Sequence, residues 1–436
     1  MNTVFNSTRT HKSMPWLLHS SGLFCMVAYI VLAWFSLRPE LLSLTIYYGL
    51  LGICLFATLL VFIGVDEKTI TPTRLLLWAA CFRLIGLAGD PLWEDDFFRY
   101  LWDGYRFYET GSPYGIAPSM FFGDGNIPAQ FYSLLAQINY PDVPTIYGPT
   151  LQYSFLLGHL IAPAQVWGLQ ALYALADMAM ILLLLRLASA RWVLLYAWSP
   201  LVIKELAFTA HPDGLGAMLM LLALYCRQQQ QFAVSVTVLA LSVGAKVFAL
   251  LMVPFILWRL AFHYWAVFVS VLFVLYLPFL VHGTSDMAGL IVFARDWQFN
   301  SSSYALMREW FEPQALKLIL GAVFIVIYAG LFWRHHKENG WKIPRGDIVF
   351  GFFLLISPVV NAWYLLWLLP FAVLYPALWS WTFSVTVLLS YSVGINLNST
   401  EVAAFEIPLW ILLLEYGAVL VAICIDLMRY KMKQNK

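Results

Sequence analysis

The chain has 436 residues, of which 61% are hydrophobic and only 11% are charged, and its formal net charge is +1. This composition, with a mean hydropathy of +0.75, excludes an ordinary water-soluble domain and indicates a membrane protein. A nearly neutral chain is also not expected to bind nucleic acid. Backbone groups in lipid must be paired internally, so repeated apolar runs predict an all-α, polytopic transmembrane helical bundle rather than a barrel.

Apolar runs recur along the chain and predict its helices. They lie at 17–37, 43–64, 74–89, 164–187, 192–203, 214–226, 232–246, 247–262, 264–281, 314–333, 347–361, 364–376, 377–395 and 409–428. Because about 20 residues are needed to span the hydrocarbon, we expect about 12 to 14 crossings. Runs as short as 192–203 and 364–376 are expected to be half-buried or extended by polar ends. The stretch 149–162 is interpreted as an interfacial or re-entrant helix, because as a crossing it would place Arg186 and Arg191 outside.

The distribution of lysine and arginine predicts which loops are cytoplasmic. Basic residues cluster at the N-terminus and at 65–74, 334–345 and 429–436. With these segments inside, three crossings place 90–148 outside, and the same count places 282–312 outside. The N-terminal segment has no A-x-A cleavage pattern, so we expect the first apolar run to be retained as a helix rather than removed as a signal peptide. We expect one integral membrane domain with N-terminal helices (1–89), an outer catalytic loop with interfacial helices (90–163), a helical core (164–281), a second outer loop (282–312) and C-terminal helices (313–436).

The stretch DPLWEDDFFRYLWDG, which follows the third apolar run, carries five acidic residues. On a helix Arg99 lies four residues from both Asp95 and Asp103, so a salt-bridged interfacial helix is one interpretation. It explains the three adjacent acids Glu94, Asp95 and Asp96 poorly, because Arg99 can pair with only one or two of them. Like charges at close range raise at least one pKa, which suits a proton acceptor or a metal ligand. We therefore favour a functional interpretation of the three adjacent acids.

Polar side chains recur at other run ends expected on the same membrane face. These candidates are Lys204, Glu205, His211, Asp213, Lys246, Arg295, Asn300, Arg308, Asn361, Trp363 and Tyr364. Lys204 and Glu205 have an alternative interpretation as snorkelling charges, His211 as a helix-end residue, and Trp363 as a belt aromatic. Lys246 stands alone in apolar sequence, where a charge usually faces a cavity or a partner. Cations suit a phosphate and carboxylates suit a hydroxyl that loses its proton, so a lipid-linked phosphosugar and a hydroxyl acceptor would use both.

The same segments carry a family resemblance. EDDFFRYLWDGYRFYETGSPYGIAP (94–118) resembles the first-loop signature of bacterial GT-C-type glycosyltransferases, integral membrane enzymes that include mannosyltransferase-like proteins and use polyprenyl-phosphate sugars. Similar motifs follow in order over 90–370: IYGPTLQYSF, SPLVIKELAFTAHPDG, LSVGAKVFALLMVPF, RDWQFNSSSYAL and SPVVNAWYLLWLLPF. The resemblance implies inverting transfer of a mannose-like hexose from a polyprenyl-phosphate donor. The acceptor would be a hydroxyl of a glycan, lipid or protein on the periplasmic face of the bacterial inner membrane.

The resemblance also implies roles for individual residues. The family's first-loop base falls on Asp95 or Asp96, with Asp96 favoured, and Glu94 and Arg99 would orient it. The donor phosphate is expected at one or more of four cations, Lys204, Lys246, Arg295 and Arg308. Further substrate contacts are expected from Tyr100, Asp103, Tyr147, Glu205, His211, Asp213, Asn300, Trp363 and Tyr364. No cofactor is expected, since the polyprenyl phosphate leaves carrying its own charge, although the three adjacent acids would also suit a divalent cation.

Two other functional classes remain open. A transporter or flippase of a lipid-linked sugar would also use buried charges and broken helices. The bias of charge toward one face and the lack of an inverted hydropathy repeat oppose it. A noncatalytic assembly subunit would keep its function in Asp95→Asn and Asp96→Asn variants.

Overall fold

The computed structural model describes residues 14–337, 340–398 and 406–434, and these residues fold almost entirely as helices. Within them the β-structure amounts to one isolated bridge, between Phe299 and Val359. The helices, in chain order, are α1 (Pro15–Ser36), α2 (Leu44–Gly64), α3 (Pro72–Gly86), α4 (Asp96–Thr110), α5 (Ala129–Leu135), α6 (Pro149–Ile161), α7 (Trp167–Leu187), α8 (Ala190–Ala197), α9 (Pro200–Ile203), α10 (Asp213–Gln228), α11 (Phe232–Ala245), α12 (Val253–Leu257), α13 (Phe262–Val281), α14 (Met287–Asp296), α15 (Ser303–Met307), α16 (Pro313–Lys337), α17 (Gly346–Ile356), α18 (Leu369–Leu374), α19 (Leu378–Thr386) and α20 (Leu409–Gln434). The all-α polytopic bundle is confirmed.

Among the described residues, six helices are long and apolar enough to cross a membrane: α1, α2, α7, α13, α16 and α20. A seventh span would be a broken pair, Pro200–Phe208 with Asp213–Gln228, which bends by 114°. Other apolar runs fold as shorter helices packed inside the bundle. The 14-residue α11 gives way to extended backbone at Lys246, and the 11-residue α17 ends just before Pro358, which disfavours helix in the residue before it. The 13-residue α6 is too short to span alone, and its interfacial or re-entrant position stays a prediction.

The break in the seventh span has a local cause. Lys204–Phe208 forms a π-helical turn, and Ala210 then adopts a left-handed backbone with φ of 56°. A π-turn disturbs the regular hydrogen-bond ladder and is a common cause of a sharp kink. The break carries Lys204, Glu205 and His211 into the interior of the bundle, where each is fully buried.

The position of α4 is fixed by its packing on α6. A Cβ added to Gly104 would lie 2.5 Å from the carbonyl oxygen of Phe155, so α4 approaches α6 closely only because residue 104 has no side chain. On the other side of α4, the Arg99 guanidinium donates to the carbonyl oxygens of Tyr140 and Val143, at 3.1 and 3.0 Å. Arg99 therefore shapes the loop that follows α5.

The acidic stretch and the basic segments that follow α2 and α20 lie at opposite ends of the bundle. At one end of α2, the ring of Tyr47 packs 4.4 Å from the ring of Trp93. At its other end the carbonyl of Val65 accepts a hydrogen bond from Arg191. Glu406 lines the same cleft as the acidic stretch, and α20 then runs from Leu409 toward the lysine-rich tail. A helix of that length covers about 39 Å, enough to separate the two faces of a membrane.

Candidate active site

A cleft of about 390 Å³ opens where α4 begins. Its lining combines the acidic stretch, the loop 139–147, the segment 293–299 and residues that precede α18 and α20. The sequence-predicted residues that it brings together are Glu94, Asp95, Asp96, Arg99, Tyr147, Lys246, Asn361, Trp363 and Tyr364. Carboxylates and a lysine thus share one cavity.

The three acids are held by directed hydrogen bonds. The side-chain amide of Asn139 donates to Asp95 at 2.6 Å and lies 3.4 Å from Asp96. The Tyr147 hydroxyl donates to the other oxygen of Asp96 at 3.3 Å. One oxygen of Glu94 accepts the backbone N–H groups of Asp95 and Asp96, at 3.1 and 3.3 Å. Glu94 therefore satisfies donors at the start of α4 and fixes the backbone that carries the two aspartates.

Burial is the main cause of the raised carboxyl pKa values in this cleft. Burial, and then the charge of Asp96, raises the pKa of Asp95 to about 7. The pKa of Asp96 is also raised by burial, although the amide of Asn139 and the charge of Lys246 oppose the shift. The pKa of Glu94 is raised well above its usual range, first by burial and then by the two aspartates. The repulsion expected from the sequence contributes, but it ranks second. A carboxyl that titrates near neutrality suits proton transfer.

Lys246 brings a cation into the same cleft. Its ammonium lies 2.6 Å from a carboxylate oxygen of Asp213 and 4.2 Å from the centre of the Tyr364 ring. The indole N–H of Trp367 donates to that Asp213 oxygen at 2.7 Å. The Lys246 side chain keeps 17% of its surface exposed, whereas Asp213 is buried. The aspartate and the ring therefore hold the ammonium in place while leaving part of it open to a ligand.

Lys204, Glu205 and His211 lie beneath the floor of the cleft rather than in its lining. The Lys204 ammonium is 3.4 Å from Glu205, and the Tyr391 hydroxyl donates to the same Glu205 oxygen at 2.7 Å. The imidazole of His211 stacks on Trp363, with ring centres 3.9 Å apart. Since Tyr391 and Trp363 do line the cleft, the three buried residues lie directly behind two of its lining side chains.

Two further α4 residues named from the sequence are also buried. The Tyr100 hydroxyl lies 3.1 Å from Nδ1 of His211. Asp103 accepts a hydrogen bond from Gln152 of α6 at 2.9 Å, and burial raises its pKa to about 6. Both side chains tie α4 to its neighbours, below the cleft.

Three predicted contacts lie away from the cleft. Arg295 and Arg308 are exposed, and each pairs with the acid that follows it in the chain. Asn300 is buried and donates to Glu415 of α20 at 3.1 Å. The sequence places these residues in an outer loop, but it does not encode the direction in which each side chain points.

Sequence reasoning missed several residues of the lining. Asn139 contacts both aspartates, yet it stands in a polar loop with no motif to mark it. Tyr140 and Trp297 form an aromatic pair at the cleft, with ring centres 4.5 Å apart. Tyr391 and Glu406 also line it. Glu406 could have been found by the rule that singled out the other acids, because it precedes the last apolar run.

Oxygens of Glu94, Asp95 and Asp96 lie within 4.8 Å of one another, a donor set that would suit a hard divalent cation. Several of these oxygens already accept hydrogen bonds, from Asn139 and from the backbone. A cation would therefore have to compete with bonds that the protein makes itself.

Comparison with known proteins identifies the chemistry. Residues 6–262 match the model of the MptA_B family, described as alpha-(1->6)-mannopyranosyltransferase, N-terminal domain. The chain belongs to this mannosyltransferase family. No curated protein and no solved structure matches it. The match contains the three acids, Asn139 and Lys246, so the GT-C-type resemblance is confirmed and the protein is a multi-pass membrane glycosyltransferase.

Proposed function

We propose that this mannosyltransferase moves mannose from a polyprenyl-phosphate donor to a hydroxyl of a glycan acceptor, with inversion, on the outer face of the membrane. The observation that supports this most directly is the shared cleft, in which two hydrogen-bonded aspartates and a partly exposed lysine meet. A glycosyl phosphate and an alcohol require these two kinds of group.

The aspartates act on the acceptor. One carboxylate of the Asp95–Asp96 pair accepts the hydroxyl proton as the acceptor oxygen attacks the anomeric carbon. The bond from that carbon to the phosphate oxygen breaks, and its electron pair leaves on the polyprenyl phosphate. A single displacement from the face opposite the leaving group inverts the anomeric centre. Asn139 contacts both aspartates and keeps them turned toward the cleft.

Lys246 acts on the donor. Negative charge develops on the phosphate oxygen as the bond to the sugar breaks, and a fixed ammonium stabilises that charge. Asp213 and Tyr364 hold the ammonium so that little reorganisation is needed on binding. A metal ion is not required for this step, because the leaving group carries its own charge.

The aromatic lining supports a carbohydrate acceptor. Tyr140, Trp297 and Trp363 line the cleft beside the acids. Apolar and aromatic walls with a few directed polar groups are the usual make-up of a small-ligand site. Pyranose rings offer apolar C–H faces of the size of these side chains, which favours a glycan over an acyl chain.

The placement of basic loops supports an outer-face reaction. The lysine- and arginine-containing segments that follow α2 and α20 lie at the end of the bundle opposite the cleft, and such segments usually stay in the cytoplasm. Donor and acceptor would therefore meet outside.

The test is a purified protein supplied with polyprenyl-phosphate mannose, radiolabelled in the sugar, and a mannose oligosaccharide. We expect a labelled, longer oligosaccharide and free polyprenyl phosphate in equal amounts. A flippase would instead return the lipid unchanged after moving it between leaflets of a vesicle, and that result would overturn the proposal.

A further inference from the structure

A buried ionisable cluster lies directly under the floor of the cleft. It joins Lys204, Glu205 and His211 of the broken span to Glu94 of the acidic stretch, and all four are buried. Ionisable groups in the interior of a membrane protein are costly, and a buried ion pair is weak support for stability by itself. A cluster that costs so much free energy, placed directly under the cleft, points to a role in the candidate active site.

His211 is the centre of the cluster. Its Nε2 lies 3.9 Å from an oxygen of Glu94 and 3.4 Å from an oxygen of Glu205, and its Nδ1 lies 3.1 Å from the hydroxyl of Tyr100. When Tyr100 donates to Nδ1, the imidazole carries its proton on Nε2, which lies between the two carboxylates without making a hydrogen bond to either of them. Stacking on Trp363 holds the ring in this plane.

The remaining members anchor the cluster from below. Glu205 is fixed by the hydroxyl of Tyr391 at 2.7 Å, and the Lys204 ammonium lies 3.3 Å from the centre of the same tyrosine ring. The backbone N–H of His211 donates to the carbonyl of Glu205 at 2.8 Å. The imidazole therefore has a rigid base on the side away from Glu94.

Glu94 connects this base to the aspartates. One oxygen of the Glu94 carboxylate faces His211, and the other oxygen accepts hydrogen bonds from the backbone N–H groups of Asp95 and Asp96. A displacement of the Glu94 carboxylate would therefore move the first residues of α4, together with both candidate bases.

We propose that His211 is a positioning residue for the transfer reaction: its imidazole, 3.9 Å from Glu94, limits the movement of that carboxylate, and through it the movement of the backbone of Asp95 and Asp96, on a base formed by Glu205 and Lys204. The inference rests on the proposed function. It gives these three buried residues a role that needs no contact with substrate, in place of the contacts expected from the sequence.

Two substitutions of the histidine separate positioning from simple packing. A glutamine at 211 can place an N–H near the position of Nε2, whereas an asparagine reaches only the position of Nδ1. We expect His211→Asn to lower kcat by about 10- to 100-fold, since small displacements of catalytic groups cost this much, with little change in KM for the donor. His211→Gln should recover most of the loss. In a Glu94→Ala background, His211→Asn should lower kcat little further, because the carboxylate that His211 positions is absent.

A second readout does not depend on activity. In hydrogen exchange measured by mass spectrometry, the peptide that contains the backbone amides of Asp95 and Asp96 should exchange faster in His211→Asn and at the wild-type rate in His211→Gln. The inference would be overturned if His211→Asn and His211→Gln showed equal exchange and equal kcat. It would also be overturned if His211→Asn lowered kcat by the same factor in the Glu94→Ala background as in the wild type. Absence of any transfer by the wild type would instead overturn the proposed function, and the exchange measurement would still decide the role of His211.

Asp177→Asn is the matched control. It breaks another buried ion pair, that of Asp177 with Arg83 at 2.6 Å, which lies outside the cleft lining. We expect it to lower the Tm while leaving kcat of the folded protein and exchange at the start of α4 unchanged.

Discussion

At the scale of single residues, the proposed chemistry depends on a carboxyl that can exchange protons near neutral pH. Asp95 meets that condition because it is largely buried beside Asp96, which raises its pKa to about 7. The two carboxyls share the amide of Asn139, so they titrate as a coupled pair. Lys246 supplies the opposite charge on the other wall of the cleft.

The raised pKa predicts a pH dependence. A general base must be ionised, so kcat/KM should rise as pH increases through about 7 and level off above it. The profile should be measured for the wild type and for Asp142→Asn, which removes an exposed acid of the same outer loop and should leave the shape unchanged. A profile that is flat across this range, or that falls as pH rises, would contradict the role of the pair.

The sequence predicts some of these residues and not others, for physical reasons. Three adjacent acids and a lone lysine stand out because charges are costly in apolar surroundings. Asn139 is neutral and lies in a polar loop, where composition carries no such signal. Arg295 is a charge in a loop predicted to lie outside, but nothing local indicates that it turns to Asp296 rather than toward the cleft.

At the scale of elements, α4 places the acids, and its packing on α6 places α4. The contact depends on Gly104, where an added Cβ would lie within 2.5 Å of a backbone oxygen of α6. Backbone cannot yield as a flexible side chain does, so a larger residue would push the two helices apart.

Gly104→Ala should therefore destabilise the protein by about 1–3 kcal/mol and lower kcat by at least about tenfold, because it displaces the start of α4. Thermal unfolding and the mannosyl transfer assay would measure the two effects. Gly125→Ala is the control, since an added Cβ there meets nothing within 4 Å. A Gly104→Ala protein as stable and as active as the wild type would show that α4 has more freedom than the packing suggests.

The broken span shows how far hydropathy can predict elements. The runs 192–203 and 214–226 were expected as separate helices, and α8 to α10 follow that division. Pro212 signals an interruption of the helix, because proline disfavours helix in the residue before it, but the sequence does not signal the π-turn or the left-handed Ala210. Yet the break supplies the cluster beneath the cleft.

At the scale of the whole molecule, the cleft draws on both halves of the chain. The family match ends at residue 262, but Trp297, Trp363 and Tyr391 complete the lining. The order of motifs in the sequence indicated this assembly. Hydropathy alone predicts about 12 to 14 crossings, whereas six of the described helices are long and apolar enough to cross a membrane. The difference arises because the shorter apolar runs fold as short helices packed inside the bundle.

The fold also predicts which residues face each side of the membrane. With a membrane-impermeant maleimide on intact cells, Asp142→Cys should be labelled and Lys433→Cys should be protected until the cells are opened. The wild type, which has five cysteines of its own, gives the background. Labelling of Lys433→Cys together with protection of Asp142→Cys would place the cleft in the cytoplasm.

The most direct test of the account is mannosyl transfer from polyprenyl-phosphate mannose by Asp95→Asn, Asp96→Asn and Asp142→Asn, each checked for folding. If the paired carboxyls supply the base, at least one of the first two variants loses about 10²- to 10⁴-fold in kcat, while Asp142→Asn keeps the wild-type rate. If Asp95→Asn and Asp96→Asn both transfer mannose at the wild-type rate, the base is elsewhere and the proposed mechanism is wrong.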